Sequence, residues 1–135
     1  MLVAGLMGGL VLFLLGWLIY GVILAGSMEG APCMRSHEEV EHYLHWIGIG
    51  NLFTGLAIAY VFSKIPALST FGGGAMVGGI TGILFSIGWD CLMYGTTTMM
   101  AEPSGIALDV VISGVMWAIA GGVIAWWLGR GPKMA

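Results

Sequence analysis

Residues 2–25 read LVAGLMGGLVLFLLGWLIYGVILA and carry no charged side chain. A bilayer core is crossed by roughly 20 apolar residues in a helix. Residues 46–63, 71–89 and 110–129 are equally free of charge. Each stretch predicts a transmembrane helix, over about 2–25, 38–63, 71–97 and 106–129. Every spanning backbone must satisfy its own hydrogen bonds, so helices are the default. Barrel strands would alternate polar and apolar residues over about 10 positions, and these runs do not. Residues 2–25 lack a basic segment in front and exceed the apolar run of a signal peptide, so the first stretch reads as an uncleaved span.

Composition agrees. The 135 residues are 59% hydrophobic and 8% charged, with a mean hydropathy of +0.98. A soluble domain would carry about 25% charged residues. Residues 1–135 therefore read as one all-α polytopic membrane domain. Four Lys and Arg residues cannot neutralise a nucleic-acid backbone, so no nucleic-acid partner is expected. There is no GxSxG, HExxH or Walker pattern, and no nucleophile–base constellation, so the reading is non-enzymatic.

The basic residues are sorted. Lys64 follows the second span, Arg130 and Lys133 follow the fourth, and Arg35 alone lies in the first connection. The positive-inside rule puts both termini in the cytoplasm, in an integral protein of a bacterial inner membrane. Glu29, Glu38, Glu39, Glu41, Glu102 and Asp109 then lie in or beside the outer connections, and Asp90 lies inside the third span.

Residues 54–64, TGLAIAYVFSK, align with residues 120–130, AGGVIAWWLGR. Gly55/Gly121, Ile58/Ile124 and Ala59/Ala125 are identical, Tyr60 matches Trp126, and Lys64 matches Arg130. The odd spans share Gly16-Trp17 with Tyr20-Gly21 and Gly88-Trp89 with Tyr94-Gly95. A duplicated two-helix hairpin accounts for both, with units of about 1–66 and 67–135 arranged as parallel repeats.

Lipid does not drive helices together, so small residues that permit close approach mark the contacts. Gly74, Gly78, Gly82 and Ser86 recur every fourth residue, and the fourth span carries Gly114, Ala118 and Gly122. This predicts a tight left-handed four-helix bundle. Trp17, Tyr20, Trp46, Trp126 and Trp127 fall where aromatic rings anchor at the membrane surface.

Asp90 is the next position on the glycine stripe and so faces neighbouring helices. A charge there costs at least about 2.5–3.5 kcal/mol. It reads either as a proton or cation site or as a neutral acid bonded to Asn51 or Tyr94. In the transport reading, Asp90, Asn51, Thr54, Tyr94 and Thr96 line a path. Cys91 adjoins Asp90. Cys33 and Cys91 read as a possible disulfide or as two separate thiols.

Residues 32–46, PCMRSHEEVEHYLHW, are the chemically densest stretch. Ser36 and Glu39 form a capping-box pattern that starts the second helix near His37. At about 100° per residue, His37, Glu38, Glu41, His42 and His45 share an arc of roughly 140°. Imidazole and carboxylate together suit a divalent transition metal. Met99, Met100, Glu102 or a second copy of the chain could complete such a site. His45, beside Trp46, is the candidate ligand for a haem or pigment. The competing reading is a solvated acidic helix start, whose carboxylates complement the helix dipole.

The pattern FLLGWLIYGVIL, with Gly16, Trp17, Tyr20 and Gly21, followed by a polar outer loop, resembles uncharacterised small bacterial membrane proteins with four spans. That resemblance implies length and topology and brings no catalytic residues. The leading expectation is a non-enzymatic homo-oligomer or accessory subunit of a membrane complex, binding metal at the outer His/Glu cluster. A small channel or transporter working through Asp90 is the main rival, and a haem or pigment subunit the third.

Overall fold

The structure is a computed structural model that describes residues 1–28, 35–98 and 103–130, without the side chains of residues 27, 28, 37 and 103. α1 (Leu2–Gly16) runs into a π-helix (Trp17–Ile23) and a short α2 (Ala25–Met28). The remaining helices are α3 (His37–Ser63), α4 (Phe71–Thr96) and α5 (Pro103–Leu128). Segments Leu2–Ile23, Glu38–Ser63, Phe71–Thr96 and Ser104–Leu128 are long and apolar enough to cross a membrane. The chain is an all-α, four-helix, membrane-spanning protein.

Local signals set the starts. Ser36 and Glu39 form the full capping box: the Glu39 amide donates to Ser36 Oγ at 3.3 Å and the Ser36 amide donates to Glu39 Oε2 at 3.1 Å. The Thr70 side chain caps α4 by accepting from the Gly73 amide at 3.2 Å. α5 opens on Pro103, whose missing N–H costs nothing at the first helical position. That start lies three residues before the expected 106 and carries Asp109 well inside the helix. The first span also differs from expectation, since its last third is π-helical and not α-helical.

α1 packs on α3, and α4 packs on α5. The two hairpins meet chiefly through α1 and α5, with a smaller contact between α3 and α5. α3 and α4 lie on opposite flanks of the contact between α1 and α5. The buried apolar residues are Ala4 and Leu12 of α1, Ile58, Ala59 and Phe62 of α3, and Met116, Ala120, Ile124 and Ala125 of α5. α4 adds none; its buried residues are Gly74, Gly78, Gly82, Ser86 and Asp90.

Glycine sets the distance of approach in both hairpins. A Cβ on Gly121 would lie 2.6 Å from the Gly74 carbonyl oxygen, and one on Gly9 would lie 2.6 Å from Leu52 Cα. Gly55 sits against the backbone of Gly5 and Gly9 just as Gly121 sits against Gly74 and Gly78. Large side chains such as Leu6, Phe53, Met76, Leu84 and Val111 point outward, as a lipid solvent allows.

Candidate functional site

The glycine stripe of α4 ends in a carboxylate. Gly74, Gly78, Gly82, Ser86 and Asp90 are each four residues apart, slightly more than a turn, and all are buried against neighbours. The partner surface on α5 is Ser113, Trp117 and Gly121. Gly114, Ala118 and Gly122 form a second row on α5, against Ile83, Gly79 and Phe71. Trp117 and Phe85 stack with centroids 5.5 Å apart.

Asp90 is 1% exposed, and its Oδ2 has no hydrogen-bond partner among the described residues. The group that acts on it is Asp109 of α5, through charge and through side-chain hydrogen bonding. Both carboxylates are pure acceptors when ionised, so their contact becomes a hydrogen bond only if one of them carries a proton. Asp109 is held on both oxygens. The Tyr20 hydroxyl donates to Oδ1 at 2.5 Å, and the Ser113 hydroxyl donates to Oδ2 at 3.3 Å. Tyr20 also lies within the field of Asp90. Four polar groups from the π-helix, α4 and α5 thus converge inside the spanning region.

No ion pair reaches this cluster among the described residues. Arg35 lies over the Tyr43 ring at 3.9 Å, Lys64 over Tyr60 at 5.2 Å, and Arg130 over Trp126 at 3.4 Å. Lys133 lies outside the described residues.

The cluster differs from the expected one. Asp109, beside the outer connection, lies on α5, and Tyr20, near the end of the first span, bonds it. Asn51 and Thr54 sit on α3, on the far flank, and donate to the carbonyls of Ile47 and Gly50, each at 2.9 Å. Tyr94 and Thr96 are exposed, and Thr96 bonds the Leu92 carbonyl. Cys91 is exposed, and Cys33 lies outside the described residues, as do Glu29, Met99, Met100 and Glu102. The one sequence signal for the true partners was Asp109 and Ser113 four apart on the fourth span.

The outer stretch lies on the first turns of α3. Glu38, Glu41, His42 and His45 are exposed, and the His37 side chain is outside the described residues. The described residues contain no group of three or more His, Cys, Asp or Glu side chains placed to hold a metal ion. The His45 ring lies 5.6 Å from that of Trp46.

Compared with protein-family models, with curated proteins and with solved structures, the chain matches none.

Proposed function

We propose that this protein is a small proton-handling transport protein whose working groups are the Asp90 and Asp109 carboxyls. The observation that carries this reading is Asp90 Oδ2, buried without a partner opposite a second carboxylate. Two negative charges side by side repel, whereas one shared proton leaves a single charge and a hydrogen bond. A group that holds its proton only by sharing it is suited to gaining and losing that proton. Intramembrane carboxylates of this kind mark proton relays and ion pathways.

The site lies toward the outer end of the spans, where Tyr20 ends the first crossing and Asp109 is early in the last. Below it, the α4–α5 contact is closed by glycines and backbone. That favours a gated carrier over an open pore, with access from the outer side first. The orientation, with termini in the cytoplasm of a bacterial inner membrane, rests on Lys64, Arg130 and Lys133.

The test is proton flux into liposomes containing the purified protein, driven by a potassium diffusion potential. Asp90→Asn keeps the shape and removes the titrating group, and its flux is expected to fall to that of empty liposomes. Undiminished flux in Asp90→Asn would refute the reading.

A second reading is self-association or membership of a larger membrane complex, without catalysis. Its observation is the separation of α3 from α4, which leaves Gly50 and Gly88 with nothing near their Cβ positions. A second copy would also bring a second set of Glu38, Glu41, His42 and His45 within reach, which a divalent metal needs. Mass measurement in mild detergent, with elemental analysis, decides it: a monomer without metal removes both ideas.

A further inference from the structure

The π-helix contributes Ile19 and Tyr20 to the edge of the core. None of its seven residues is fully buried. Its wide turn is documented by the Leu24 amide, which donates to the Ile19 carbonyl five residues back at 2.8 Å. Such turns are rare and are found frequently at functional sites. The specific tertiary bond that this stretch makes is Tyr20 to Asp109, across 89 residues of sequence.

Building on the carboxyl-pair reading, we propose that Tyr20 is a positioning residue for the shared proton: the π-helical turn aims its hydroxyl at Asp109. Asp109 already accepts from Ser113 on its other oxygen, so with Tyr20 in place it carries two donors. Donors to a carboxylate favour its ionised form. Asp90 has no such donor on its buried oxygen. Asp109 is thus the carboxyl with two donors and Asp90 the one with an unpartnered oxygen, so a proton shared by the pair sits between unequal neighbours. The groups facing Asp90 are Asp109 from α5 and Tyr20 from the first span; on α4 itself, Cys91 and Tyr94 are exposed. Tyr20 belongs to the first hairpin while both carboxyls belong to the second. Movement between hairpins would therefore make or break the bond, and with it the preference for one proton position.

The experiment is difference infrared spectroscopy of the protein in lipid, with flux measured on the same samples. Wild type is expected to show the C=O stretch of a protonated carboxyl, which Asp90→Asn removes. Tyr20→Phe keeps the ring and its packing. It is expected to displace that band and to lower flux about tenfold, the change that losing one hydrogen bond to a charged acceptor produces. If Tyr20 acts through Asp109, Tyr20→Phe with Asp109→Asn together is no worse than Asp109→Asn alone. A spectrum without a protonated carboxyl, a band unmoved in Tyr20→Phe, or fully additive losses in the double variant overturns the proposal. A band that moves in Tyr20→Phe while Asp90→Asn retains flux keeps the positioning role and removes the transport reading instead.

Discussion

The α1–α3 hairpin and the α4–α5 hairpin cross in the same way but are filled differently. In each, one glycine of the second helix, Gly55 or Gly121, lies against two glycines four apart on the first, Gly5 and Gly9 or Gly74 and Gly78. Ile58 and Ile124, and Ala59 and Ala125, are buried in both. Each second helix ends with a cation over an aromatic ring one turn back, Lys64 over Tyr60 and Arg130 over Trp126. Counted from the crossing glycines, however, Asp90 corresponds to Gly21, Asp109 to Tyr43, and Ser113 to Ile47. The crossing is a steric requirement common to both hairpins. The acid pair occurs in only one, so it is not a consequence of making the hairpin. The contact of α1 with α5 has no counterpart of similar extent between α4 and α3, so the two units do not pack as equals.

The largest effect is expected at the crossings. Gly55→Leu and Gly121→Leu each force a side chain into opposing backbone and should lower stability by about 3 kcal/mol. Gly50→Leu and Gly88→Leu, in open space, should change it by less than about 0.5 kcal/mol. Thermal unfolding in detergent measures all four. If Gly121→Leu is tolerated and Gly55→Leu is not, the two crossings are not equivalent.

Asp90→Asn separates the hairpins by function. It removes a buried carboxyl with an unpartnered oxygen. The variant should be as stable as wild type or more stable, by up to about 2 kcal/mol, while its proton flux is lost. Unfolding curves beside flux assays check this. Lower stability together with lost flux would make Asp90 a structural group, and the second hairpin no more specialised than the first.

The smallest difference is at the cation–ring pairs. Arg130→Ala should cost about 1 kcal/mol and Lys64→Ala about 0.5 kcal/mol, because the guanidinium lies closer to its ring. Equal losses would mean that the cations act on the membrane surface, not on the rings.

Much of the architecture was legible in the chain. Uncharged stretches of sufficient length dictate spanning helices, because lipid offers no other hydrogen-bond partner for the backbone. Ser36 with Glu39 placed the start of α3, and the four-residue spacing from Gly74 to Asp90 placed the carboxylate on a contact face. These are properties of short segments, and helical periodicity reports them directly. The same periodicity puts His37, Glu38, Glu41, His42 and His45 on one face of α3, but it does not report what lies opposite that face.

What lies opposite each face was decided only by the tertiary structure. In lipid the outer faces are as apolar as the inner ones, so hydrophobicity does not say which helix meets which. Steric fit between glycines does, and it put α3 and α4 on opposite flanks, separating Asn51 from Asp90. The π-helix is invisible to a pattern assumed to repeat every 3.6 residues, and nothing in the sequence paired Tyr20 with Asp109. Sequence alone determined that a carboxylate would be buried at Asp90. Packing brought Asp109 and Tyr20 to it, because that contact joins residues from three separate crossings.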